Sequence, residues 1–75
     1  MDEERYEGTR GSVARYVRAL RSCRGMTQDE LAAKLGVTQA AVSRWEDASS
    51  MPSVGRIIDL ADMGGCSVGF VLGRW

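Results

Sequence analysis

The sequence predicts an all-α fold, a compact bundle of five short helices, on three observations. Apolar residues recur at intervals of three and four, serine, threonine and glycine stand where helix caps belong, and no stretch alternates as a strand would. With 75 residues, 44% of them hydrophobic, the chain has room for one domain with a thin core.

Residues 1–11 hold Asp2, Glu3, Glu4 and Glu7 around Gly8 and Gly11 without apolar periodicity, so a flexible arm is expected there and the folded domain over 12–75. Ser12 is the expected N-cap of helix one. Val13, Tyr16, Val17 and Leu20 fall at i, i+3, i+4 and i+7, one face of a helix running to about Cys23. Thr27 and Glu30 have the spacing of a capping box, with Met26 and Leu31 as its hydrophobic staple, so helix two spans Gln28 to about Leu35. Gly36 stands at the left-handed position after it. Thr38 is the next N-cap, Val37 and Val42 repeat the staple, and helix three starts at Gln39 with Ala41, Val42 and Trp45 inward. A polar loop follows from Asp47 to Ser50. Pro52 and Ser53 open a fourth helix through Ile57, Ile58, Leu60 and Ala61, ending at Gly64 and Gly65, and Ser67 caps a brief fifth from Val68 to Leu72.

Ten basic and ten acidic residues cancel, but their distribution is uneven. Residues 10–24 carry Arg10, Arg15, Arg18, Arg21 and Arg24 and no acid, a basic stripe in a neutral protein. Nine of the ten basic residues are arginine, which favours bidentate contacts to phosphate or carboxylate. The stripe also fits a solvated helix face.

Histidine is absent, which removes the commonest general base and the commonest metal ligand. No paired-carboxylate cleft or phosphate loop appears, so no enzyme, no metal and no cofactor are expected. Cys23 and Cys66 are 43 positions apart with no second pair, and are expected as small buried thiols. No apolar run reaches the roughly 20 residues of a membrane span, and the acidic start does not resemble a secretory signal. A cytoplasmic protein without a membrane partner is expected.

Two short helices joined by a glycine-containing turn are the unit that places a second helix in the DNA major groove. The run Met26-Thr-Gln-Asp-Glu-Leu-Ala-Ala-Lys-Leu-Gly-Val-Thr-Gln-Ala-Ala-Val-Ser-Arg-Trp-Glu46 resembles the phage-repressor type helix-turn-helix domain, also called lambda-repressor-like or the xenobiotic-response-element family of bacterial regulators. The resemblance continues through Met51-Pro-Ser53, Ile57 to Ala61, Gly65, Ser67 and Val71 to Arg74. It implies a sequence-specific transcriptional regulator of double-stranded DNA, with helix three in the major groove of a palindromic operator.

Carried over by position, the resemblance implies base reading by Gln39, Ala40, Ser43 and Arg44. Glutamine pairs bidentately with adenine N6 and N7, alanine offers only a thymine methyl contact, and arginine takes guanine or a flanking phosphate. Arg44 has an alternative partner in Asp47, at i+3 on its own helix. Gln28, Thr38, Arg10, Arg15 and Arg18 are the expected contacts to the DNA backbone. The loop Asp47 to Ser50 is another backbone neighbour in the family, although Asp47 repels phosphate. Trp45 is expected in the core.

One recognition helix reads few base pairs, so a homodimer is expected to bridge half-sites about 34–36 Å apart. Phe70, Val71, Leu72 and Trp75 form the apolar cluster expected to dimerise. Regulation is then expected from concentration, a protein regulator or proteolysis. The alternative uses keep the fold: a protein-interaction module in which Arg15, Arg18 and Arg21 bind an acidic partner, or an antitoxin-like autorepressor that meets a protein.

Overall fold

The computed structural model describes residues 2–74, with side chains from residue 8 onward. Five helices follow in order: α1 (Asp2–Arg24), α2 (Gln28–Leu35), α3 (Gln39–Glu46), α4 (Val54–Gly64) and α5 (Val68–Val71). Helix α3 packs against both α2 and α1, and α5 packs against α4 and α1.

The predicted face of α1 is the buried one. Val13, Val17 and Leu20 lie in the core, and Tyr16 packs half-buried at its edge. Leu31, Ala32 and Leu35 from α2 meet Val42 and Trp45 from α3, while Ile57, Leu60 and Ala61 close the core from α4. Ile58, one of the apolar residues that mark this helix in the sequence, is exposed. It lies one residue, about 100° of helix, from the buried Ile57.

Four N-caps form as their spacing predicts. Thr27 accepts the Glu30 amide at 3.1 Å while the Glu30 carboxylate accepts the Thr27 amide at 2.8 Å, completing the capping box. Thr38, Ser53 and Ser67 accept the amides of Ala41, Arg56 and Phe70. At the end of α2, Gly36 takes φ 72° and ψ 32°, and the Val37 amide reaches back to the Ala32 carbonyl at 3.0 Å. That closure turns the chain sharply enough for α3 to start at Gln39 after only three linking residues.

Helix α1 departs from expectation at its start. Ser12 is not an N-cap: it lies inside α1, and its hydroxyl donates to the Gly8 carbonyl one turn back at 3.2 Å. The segment read as a loose arm is helical from Asp2. No proline interrupts it, and a helix already nucleated by the packed turn at Val13 and Val17 lengthens at the low cost of propagation.

Both cysteines are free, and neither is fully buried. Cys23 is exposed, near the end of α1 beyond its buried stripe, contrary to the expectation of a core thiol. Cys66 is half-buried, its thiol donating to the Tyr16 hydroxyl at 3.2 Å, and that hydroxyl donates in turn to the Leu60 carbonyl at 2.7 Å. Burial, followed by the hydrogen bond and charge of Cys66, pushes the Tyr16 phenol well above its usual range. It therefore stays a neutral donor that ties α1 to α4.

Candidate nucleic-acid interface

The outer surface of α3 is set by what its inner surface buries. Val42 and Trp45 anchor the helix, which leaves Gln39, Ala40 and Arg44 exposed and Ser43 half-buried. Thr38, exposed at the N-cap, aims the first turn outward.

A chain of polar contacts runs from the core to the tip of this surface. Arg21 grips the Glu46 carboxylate with both arms of its guanidinium, Nε to Oε2 at 2.6 Å and Nη2 to Oε1 at 2.9 Å, and also donates to the Met26 carbonyl at 3.1 Å. Glu46, only 7% exposed, accepts from Gln28 Nε2 at 3.1 Å. Gln28 Oε1 in turn accepts from Gln39 Nε2. Gln28 and Gln39, assigned to separate helices and separate roles by the sequence, thus meet at the mouth of the α2–α3 angle.

The charge of Glu46 is secured by its neighbours. Burial works against the ionised carboxylate, but the hydrogen bonds from Arg21 and Gln28 and the charges of Arg21 and Arg18 outweigh it, so the group ionises below the usual carboxylate range. Arg21 is correspondingly raised by its hydrogen bond to Glu46. Every side-chain polar atom buried among the described residues has a partner.

The signal for this pair in the sequence is two opposite charges in register with the buried stripes of two helices. Glu46 stands four residues after Val42 and Arg21 four after Val17, the spacing that puts each under an apolar neighbour. Buried charges persist only when paired, so the two stripes had to meet.

The other expected residues are scattered. Arg15 is exposed and Arg10 half-buried on α1. Arg18 donates through Nη1 to the Glu46 carbonyl, so it is committed to the C-terminal end of α3. Arg44 is exposed and does not form the alternative pair with Asp47. The Asp47 carboxylate accepts the Ser49 amide at 2.9 Å, and its ionisation is lowered by its hydrogen bonds from Ser49 and, to a smaller degree, by the charge of Arg44.

With this geometry in hand, a family model described as helix-turn-helix matches residues 17–71, from the middle of α1 to the end of α5. The chain belongs to the lambda-repressor-like helix-turn-helix family. Its members are DNA-binding regulators rather than typical enzymes. No curated protein and no solved structure matches the chain significantly.

In this helix-turn-helix domain the apolar cluster expected to dimerise is divided. Val71 is fully buried in the chain's own core, because it is the side chain by which the short α5 is held, and is not available to a partner. Phe70 is 58% exposed, with one edge against Tyr16 at 6.2 Å between ring centroids, and Leu72 is half-buried. Trp75 lies outside the described residues. A groove of about 300 Å³ is lined by Phe70, Gly64 and, from α1, Tyr16, Ala19 and Cys23. No helix among the described residues is long and apolar enough to cross a membrane.

Proposed function

We propose that this domain is a dimeric, sequence-specific transcriptional repressor that lays α3 in the major groove of a palindromic operator. The observation that carries the reading is the Gln28–Gln39 pair, held at the exposed start of α3 by a partly buried ion pair. A polar side chain held in one orientation on a rigid helix end is what base discrimination requires.

In this reading Gln39 reads adenine, Ala40 allows close approach to a thymine methyl, and Ser43 and Arg44 reach the next bases. Gln28, Thr38, Arg10 and Arg15 hold phosphates, which sets register. Arg18 serves the protein itself rather than the DNA. The competing use of the fold, an acidic partner held by Arg15, Arg18 and Arg21, is weakened because two of those three arginines are occupied by Glu46.

Eight residues make α3 about 12 Å long, enough for only part of one groove. A second copy supplies the other half-site, and Phe70 with Leu72 is the surface proposed for pairing. Selection from a random duplex library tests the whole reading: enrichment of an inverted repeat, with half-sites one helical turn apart, is expected. Gln39→Ala should weaken the selected site by about 1–3 kcal/mol and relax preference at a single base pair. A folded protein that enriches no sequence at low salt would overturn the reading in favour of the interaction module.

A further inference from the structure

The polarity of the Glu46–Gln28–Gln39 chain has a consequence for which base α3 reads. An ionised carboxylate only accepts hydrogen bonds, so the end of Gln28 that faces Glu46 must be its NH2 group. The carbonyl oxygen of Gln28 then faces the other way, and only a donor can meet it. That donor is the Gln39 NH2 group, which spends one hydrogen on Gln28. What Gln39 has left for a base is therefore one N–H donor beside one carbonyl acceptor.

Adenine presents an acceptor, N7, beside a donor, the N6 amino group, on its major-groove edge, whereas guanine presents two acceptors, N7 and O6. An outward donor–acceptor pair matches adenine. If Gln28 were reversed, its NH2 group would face Gln39 and claim the Gln39 oxygen, leaving that side chain two outward donors, the match for guanine.

We propose that Glu46, held by Arg21, is a positioning residue that sets the hydrogen-bonding polarity of Gln39 through Gln28, making the first position of α3 an adenine reader rather than a guanine reader. The inference rests on Gln39 being a base reader, and it adds a specificity determinant that never touches DNA. Arg21 belongs to the device for two reasons. It keeps the carboxylate charged, and its two-armed grip fixes which oxygen faces Gln28.

The test is a competition between two duplexes that differ only at the base pair whose preference Gln39→Ala relaxes, one carrying adenine and one guanine. Wild-type protein should favour adenine by roughly tenfold or more. In Glu46→Gln the neighbouring amide can turn either end to Gln28, so the preference should fall by roughly tenfold, toward parity. Gln28→Met, which deletes the relay but leaves the ion pair whole, should do the same. Gln28→Met also gives up a phosphate contact and so weakens binding to both duplexes, which is why the readout in both variants is the adenine-to-guanine ratio at that one base pair.

A purely structural role for Glu46 would give another pattern. Loss of folded protein weakens binding to both duplexes equally and leaves their ratio untouched, so retention of the adenine preference in Gln28→Met or in folded Glu46→Gln overturns the proposal. Gln28→Met keeps the test decisive if Glu46→Gln fails to fold. If Gln39→Ala relaxes no base pair at all, the base-reading role falls, and this proposal falls with it. If Gln39→Ala relaxes one pair while both relay variants keep the adenine preference, the base-reading role stands and the relay alone is wrong.

Discussion

Single side chains in this domain act through what they are forced to face. Glu46 ionises below its ordinary range when folded, so it contributes stability that is present above the unfolded carboxylate value of about 4.3 and is lost as pH falls through the lower, folded value. Wild-type stability should therefore decline below about pH 4 more steeply than that of Glu46→Gln. Urea melts of both proteins between pH 7 and pH 3 check this, and parallel curves would contradict it. Gly64 depends on a different confrontation. A Cβ there would lie 2.0 Å from the Tyr16 hydroxyl, which is itself held by Leu60 and Cys66. Alanine is the better helix former by about 1 kcal/mol, but overpacking costs about 1–3 kcal/mol, so Gly64→Ala should lower the melting temperature. Tyr16→Phe in the same chain, lacking the hydroxyl, should recover part of the loss.

At the level of elements, the α2–turn–α3 unit is built from local signals that all agree. The capping box at Thr27, the left-handed Gly36 and the Thr38 cap each place the next backbone segment without help from distant residues. Gly36 has open space around it, so only its φ of 72° penalises a side chain. Gly36→Ala should cost about 1 kcal/mol and Gly36→Asn less, because asparagine tolerates the left-handed region. Thermal unfolding of the two variants separates that backbone cost from packing, and equal losses would rule it out. This unit was legible in the sequence, and so were the starts of α4 and α5, because caps and staples are contacts between residues three to five apart. The start of α1 was not legible, since Gly8 and Gly11 suggested a break whereas the helix continues through both. The exposure of Cys23 is not legible for a related reason: a small apolar residue carries no mark of which side of a helix end it will occupy.

For the molecule as a whole, the balance of charge conceals how its arginines are divided. Arg18, Arg21 and Arg24 are bound to the protein's own acceptors, at Glu46 and at the Met63 carbonyl. The surface offered to phosphate is accordingly smaller than five arginines on one helix suggest, and binding should show a correspondingly modest salt slope. Assembly is the second question at this scale. Phe70 is the most exposed aromatic side chain among the described residues. In the dimer proposed above, replacing Phe70 by aspartate should shift the protein from dimer to monomer in sedimentation equilibrium and weaken operator binding at least tenfold, with the fold intact, because Val71 rather than Phe70 anchors α5. An unchanged dimer would place the pairing surface elsewhere.

Helix boundaries, their caps, the buried stripes and the family were carried in the order of residues, because each depends on neighbours a few positions apart and on a periodicity the chain states openly. The union of Arg21 with Glu46, the pairing of Gln28 with Gln39, the capture of Arg18 and the withdrawal of Val71 into the core were decided by tertiary structure alone. Each joins or buries residues from different helices, and partners 11 to 28 positions apart are chosen by how the helices pack, which no local spacing records.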